Sequence, residues 1–138
     1  MAEMLLKKPR ETTPSTEERD DRERGTMQLV SCFLRPDRLD AVTAALDQIP
    51  VGGMTVTEVR GFGRQKGQVE HYRGGEYTIR FLSKIRVDVV VPSEEVNSVV
   101  TAVQKAAHTG QVGDGKLFVT PVQQVLRIRT GERGIGAL

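Results

Sequence analysis

The chain has 138 residues, of which 38% are apolar and only 4% aromatic, with no Trp; that length suits one domain, and a platform that stacks bases on aromatic rings has too few rings to be built. Twenty basic against 18 acidic residues leave a formal charge of +2, too even to hold a polyanion by charge alone. The single cysteine, Cys32, excludes an internal disulfide, and with only His71 and His108 beside it a structural zinc site is out of reach, so a reducing, cytoplasmic setting is expected.

Residues 1–26 carry six basic and seven acidic side chains and almost nothing apolar after Leu6. Such a stretch cannot bury enough surface to offset its ordering entropy, and a disordered extension is expected. Met4-Leu5-Leu6 is too short for a signal-peptide core, the acids argue against an organelle-targeting peptide, and no apolar run approaches the roughly 18 residues of a membrane span. A soluble protein without membrane insertion is expected, with its folded domain over residues 27–138 and Met27 as a candidate alternative start.

Leu29-Val30-Ser31-Cys32-Phe33-Leu34 reads as a largely buried strand stopped by Pro36. Leu39, Val42, Leu46 and Ile49 recur at helical spacing, with Asp37 as the expected cap. Met54 to Val59 alternates with period two and predicts a second strand. After a long connection, Tyr77 to Phe81 and then Ile85 to Val91 read as strand. Ser93 is the expected cap of a helix whose face is Val96, Val99, Val100, Val103 and Ala107, with Gly110 as its left-handed terminator. Leu117-Phe118-Val119 and Val125 to Arg129 are the last predicted strands. The order is βαββαβ, a ferredoxin-like α+β sandwich with an extra C-terminal strand and helices on one face of an antiparallel sheet.

Three segments carry candidate chemistry. The connection from Gly61 to Tyr77 far exceeds a hairpin loop; its Gly61, Gly63 and Gly67 miss the dinucleotide fingerprint by one residue, but a glycine-rich strand end beside Arg64, Gln65 and Lys66 suits an anion. Gly110-Gln111-Val112-Gly113-Asp114-Gly115-Lys116-Leu117 nearly matches a P-loop. It offers Leu117 where Ser or Thr should stand, and it leads from helix to strand rather than the reverse. A P-loop NTPase is therefore excluded, while a phosphate-facing turn with Lys116 remains. Arg127 and Arg129, two apart in a predicted strand, would share one face and could fork onto phosphate. Solvated loops and separate surface arginines are the alternatives for each segment taken alone. No nucleophile, acid–base or metal motif of a known enzyme class is present, and Cys32 in a buried strand reads as a small core residue.

Taken together, Gly53 to Gly67, Tyr72-Arg73-Gly74-Gly75-Glu76-Tyr77, Thr109 to Lys116 and Arg127 to Glu132 closely resemble the PII family of nitrogen-regulatory signal proteins, with no evident gap over residues 27–138. The resemblance implies a homotrimer with nucleotide sites in the clefts between subunits. ATP and ADP compete there, and 2-oxoglutarate joins through the Mg2+ of bound ATP. It assigns Gly61, Phe62, Gly63, Arg64 and Gln65 to one side of the nucleotide site at the base of the long T-loop, with Gln65 also on Mg2+. Gly113, Asp114, Gly115 and Lys116 would cradle phosphates, Arg127 and Arg129 would reach them from the adjacent subunit, and Thr55, Asp88 and Val90 would surround the adenosine. Lys84 would face the distal carboxylate of 2-oxoglutarate, helped by Gly63, Gln65, Lys66 and Gly67. Tyr77 stands at the position that many bacterial members have uridylylated.

The implied function is a nitrogen, carbon and energy sensor, not an enzyme, that controls targets such as an ammonium channel, a uridylyltransferase or a metabolic enzyme through its T-loop. Gly75 stands where some members carry a phosphorylatable Ser, Asp88 replaces the commoner Glu, and Arg80 and His71 alter the loop's surface. The alternatives are a small anion-binding ferredoxin-like enzyme acting on phosphorylated substrates and an RNA-binding module of the same topology; the scarcity of strand aromatics argues against the latter.

Overall fold

Alternation along two strands determines where the core lies. The computed structural model describes residues 26–63, 71–72, 76–77 and 80–138. The expected disordered extension, apart from Thr26, and most of the long connection lie outside those residues. Strand β1 is Met27–Leu34 and β5 is Leu82–Pro92, paired antiparallel so that Val30 opposes Val89, Cys32 opposes Val87 and Leu34 opposes Ile85. With a side-chain period of two, this register puts all six on one face. Helix α1 (Leu39–Asp47) brings Val42 and Leu46 to that face, and α2 (Val96–Ala107) brings Val99 and Val103; together they form the buried core. No helix among the described residues is long and apolar enough to cross a membrane.

Strand β2 (Thr55–Gly61) pairs with β5, and β6 (Gly115–Pro121) pairs with the other side of β1, giving an antiparallel sheet in the order β2-β5-β1-β6. The crossovers are the two helices, so the ferredoxin-like plan is the observed one. Two short strands within the long connection, β3 (His71–Tyr72) and β4 (Glu76–Tyr77), pair with each other as a two-stranded sheet separate from the main one.

Several local expectations are corrected. Asp37 does not cap α1: Pro36 opens a 3-10 turn over Pro36–Arg38, so the extended residue before the turn is Arg35 (φ −63°, ψ 138°) and no side-chain cap bond forms. A proline pre-set to helical φ starts the turn before Asp37, which then cannot take the extended backbone of a cap. Ser93 likewise lies inside a 3-10 turn, Ser93–Glu95, after extended Pro92, and its hydroxyl accepts from Gln28 Nε2 at 3.2 Å. Helix α2 ends on extended His108, and Gly110 comes two residues after that cap rather than forming it. Phe81 precedes β5 instead of ending a strand, and β5 begins three residues before Ile85.

The extra C-terminal strand is not formed. Residues 125–129 make one isolated bridge, Leu126 with Arg133, closed around Gly131 by bonds from Arg127 N to Glu132 O (2.9 Å) and from Gly131 N to Arg127 O (2.8 Å). A β ladder needs a neighbouring strand, and a turn that satisfies these amides within the segment leaves no ladder to extend. The chain then ends its described course in a 3-10 turn, Gly134–Ala137, whose Ala137 is buried.

Cys32 is 2% exposed. Burial, with a smaller contribution from the Asp88 carboxylate, pushes its thiol up to about 11. It is therefore a neutral core side chain at physiological pH, as its strand position suggested. Folded protein at pH 8 should release almost no thionitrobenzoate from DTNB over several minutes and its full equivalent after unfolding in guanidinium. Immediate complete reaction of the native protein would contradict this packing.

Candidate functional site

The turn joining α2 to β6 is organised around one carboxylate. Asp114 accepts from the backbone N–H of Thr109 (2.7 Å), the backbone N–H of Gly110 (2.9 Å) and the Thr109 hydroxyl. A fourth donor comes from a different part of the fold, Arg35 Nε at 3.0 Å, and Arg35 Nη2 also donates to the Val112 carbonyl at 2.7 Å. These donors favour the charged form and hold the Asp114 carboxyl well below the usual carboxylate range, the Thr109 hydroxyl acting most strongly. A depressed pKa means that the stabilising charge is fully present above the ordinary aspartate value of ~3.9 and is lost only as pH falls through the lower folded value. The turn therefore keeps its ionised centre across the physiological range.

Gly115 closes the turn into β6. Its φ is +104°, and a Cβ there would lie 1.7 Å from the Phe33 carbonyl oxygen, so only glycine lets the turn meet the end of β1. The neighbouring Gly113 carbonyl accepts from Lys84 Nζ, which reaches it from β5. Desolvation lowers the Lys84 pKa, and Arg35 lowers it further against a smaller raising effect of Asp114. The sequence segment Gly113 to Lys116 thus meets Lys84, an assignment from a different motif, within hydrogen-bond reach.

The remaining assignments follow from sheet register. Thr55 opposes Asp88, Asp88 opposes Ser31, and Ser31 opposes Phe118; Lys116 opposes Phe33, which opposes Arg86. Since Val30, Cys32 and Leu34 face the helices, these rows face away from them. Thr55, Lys84, Asp88, Val90 and Lys116 therefore share the sheet face opposite α1 and α2. That face carries an edge-to-face pair, Phe33 with Phe118 (centroids 6.1 Å apart), and Arg86 sits 5.5 Å above the Phe33 ring while its Nε reaches Asp88 at 2.9 Å. Ser31 Oγ is buried there and has no hydrogen-bond partner among the described residues. Phe62 and Phe81, both more than half exposed, flank the two ends of the long connection with ring centroids 6.3 Å apart. On the helix-facing side of the same strands, Glu58, Arg60, Ser83 and Pro36 line a polar cavity of about 440 Å³ that also touches Lys84.

The predicted arginine pair is placed elsewhere. Arg127 donates from Nη2 to the Leu138 carbonyl (3.0 Å) and from Nη1 to Glu132 (3.4 Å), while Arg129 is exposed. Without a strand, the two have no common sheet face. Leu138 packs where a Cβ on Gly52 would stand, 2.8 Å from its carbonyl carbon, so Arg127 belongs to the side of the molecule where β2 begins. Lys116 is the second residue of β6, the opposite edge of the four-stranded sheet. Three strand spacings separate these edges, roughly 14 Å. Arg64, Gln65, Lys66 and Gly67 lie outside the described residues, as does the Tyr77 side chain, whose backbone pairs with His71 in the small two-stranded sheet.

Sequence reasoning missed Arg35, Thr109 and Arg86. A residue before proline is held extended, which is a readable signal that Arg35 leaves β1 on a fixed course. Its partner, 79 residues away, has no such signal.

Comparison with known proteins gives a consistent result. Residues 27–132 match the sequence model of the family described as Nitrogen regulatory protein P-II. The chain is 54% identical over 112 residues to the nitrogen regulatory protein P-II of Nostoc punctiforme, and 50% identical over 112 residues to the nitrogen regulatory protein GlnK of Escherichia coli K12. Each match takes in 81% of this chain and 100% of the relative. Among solved structures, Arabidopsis thaliana PII bound to citrate is similar with a TM-score of 0.68 and 38% identity, covering 82% of this chain and 92% of that one.

Replacing Gly115 by alanine should break the turn, because the left-handed backbone alone costs about 1–2 kcal/mol and the contact with Phe33 O must also be relieved. Gly63→Ala, where a Cβ meets nothing within 4 Å, is the control. Urea denaturation should show a clear loss of stability for Gly115→Ala and almost none for Gly63→Ala; equal midpoints would contradict the turn geometry.

Proposed function

Since this chain belongs to the nitrogen regulatory protein P-II family and is a signalling protein rather than an enzyme, we propose that it senses energy and carbon status by binding ATP or ADP together with 2-oxoglutarate and reports it through its long connecting loop. The observation that carries this reading is the meeting of two cations with one glycine turn. Lys116 follows the Asp114-braced turn directly, and Lys84 donates to the Gly113 carbonyl within it. A nucleotide's phosphates take the amides and Lys116, as charge-assisted donors held before the ligand arrives. Thr55, Asp88 and the Ser31 hydroxyl, on the same open face as Val90, offer polar points beside an apolar side chain for the adenosine.

A homotrimer is part of this proposal. Lys116 lies on the β6 edge of the sheet, whereas Arg127 is held through the Leu138 carbonyl near Gly52, just before β2 at the other edge. The β6 edge of one chain placed against the β2 edge of the next brings them together, and the same contact covers the exposed aromatic face. Arg127 then exchanges Glu132 and the Leu138 carbonyl for phosphate. Arg129 joins it there.

Lys84 takes the distal carboxylate of 2-oxoglutarate, with Gly63, Gln65, Lys66 and Gly67 around it and Gln65 also on the Mg2+ of ATP. The similar Arabidopsis structure was bound to citrate, another small polycarboxylate, which favours this ligand class. Phe62, Arg64 and the loop beyond them couple effector occupancy to cytoplasmic targets, such as an ammonium channel, a uridylyltransferase or a metabolic enzyme, and Tyr77 is the site for uridylylation.

Calorimetry with Mg-ATP, with and without 2-oxoglutarate, tests the reading. Mg-ATP should bind without being consumed, and 2-oxoglutarate should bind only to the Mg-ATP complex. Lys84→Ala should weaken 2-oxoglutarate by about 2 kcal/mol, ~30-fold, and equal affinities would remove Lys84 from the site. Sedimentation equilibrium should give a mass of about three chains; a monomer that still binds ATP tightly would overturn the shared site.

A further inference from the structure

We propose that Arg35 is a positioning residue for nucleotide recognition: from the end of β1 it holds the Thr109–Gly115 turn in register with the sheet, without itself touching the phosphates. The proposal rests on the reading that this turn receives the phosphate chain. Its ground is the division of bonds around Asp114. Thr109 and Gly110 are within five residues of Asp114 and give the turn its shape. They do nothing to fix where that shape sits on the domain.

The pairing of Gly115 with Leu34 fixes the turn where it enters β6, and Arg35 holds its middle from outside at two points. Nε meets the Asp114 carboxylate at 3.0 Å and Nη2 meets the Val112 carbonyl at 2.7 Å. The two acceptors are two residues apart, and the guanidinium fork spans them with both donors fixed in one plane. The backbone of Arg35 is itself fixed, between the last pair of β1 and Pro36. The side chain is only partly exposed, at 28%, as is its partner at 23%, so the pair is less screened than a surface ion pair. Lys84 adds a tether from β5 to the Gly113 carbonyl, between the two points that Arg35 holds. In the proposed function Lys84 has an anion to meet, so Arg35 is the anchor that keeps the turn in place when Lys84 turns to its ligand.

A lysine keeps the charge and loses the fork, which separates positioning from a simple field effect. Calorimetry with Mg-ATP should show Arg35→Ala and Arg35→Lys both weakened, by roughly tenfold or more. Adenosine, which has no phosphate for the turn to receive, should bind all three proteins alike by NMR titration. Hydrogen exchange of the Thr109 and Gly110 amides should be faster in both variants than in the wild type. Wild-type affinity in Arg35→Ala, restored affinity in Arg35→Lys, or an equal loss for adenosine would each overturn the proposal. If the wild type takes up no Mg-ATP, the nucleotide reading fails and the recognition role falls with it; the amide exchange rates then show separately whether Arg35 holds the turn.

Discussion

The Asp114 carboxylate and its four donors are the constraint on which the candidate site depends. A glycine-rich turn is cheap to bend and expensive to hold, because glycine loses more backbone freedom on folding than any other residue. Asp114 offsets that cost by converting otherwise free N–H groups of Thr109 and Gly110 into charge-assisted bonds. With its own charge satisfied by Thr109, Gly110 and Arg35, it does not need Lys116 as a partner. Gly115 then admits the turn against Phe33 at a distance that no side chain would allow.

The sheet supplies the second half of the arrangement. Its helix-facing side is a valine-rich core with buried Gln28 at its edge, bonded to Ser93, while the opposite side carries Lys84, Arg86, Asp88 and Lys116 interleaved with Phe33 and Phe118. One strand thus serves both purposes, since Val87 and Val89 build the core and Arg86 and Asp88 the open face. The period of two makes the two roles inseparable: a slip of one residue in β5 would bury charge and expose the core together. Among the described residues both edges of the sheet lack a further strand, and the proposed assembly uses the edges and the open face at once.

Charge is arranged in local groups, in agreement with the small net value. Arg86 meets Asp88, Arg35 meets Asp114 and Arg127 meets Glu132. Each of these acids holds a cation in a defined direction. For Arg127 this partner is one that a stronger anion can displace, since Glu132 is half exposed and the bond is 3.4 Å long. Asp114 is different, because its bonds are shorter and more numerous, and it acts as a fixed point.

The sequence by itself determined the order of elements, the faces of β1, β5 and α2, the burial of Cys32 and the family, because side-chain period and short glycine motifs are local properties. It also picked out Lys84, Lys116 and Asp88, whose common face follows once the strands are paired. Tertiary structure alone decided three things. The segment 125–129 closed on itself around Gly131, since a strand exists only where another strand accepts its bonds and a local turn met that need first. The cap residues Asp37 and Ser93 became interior to 3-10 turns, because the prolines before them set the backbone. Arg35 came to the glycine turn through the pairing of β1 with β6, which sets Leu34 beside Gly115. A contact between residues so far apart in the chain depends on that register, which no local pattern at either end encodes.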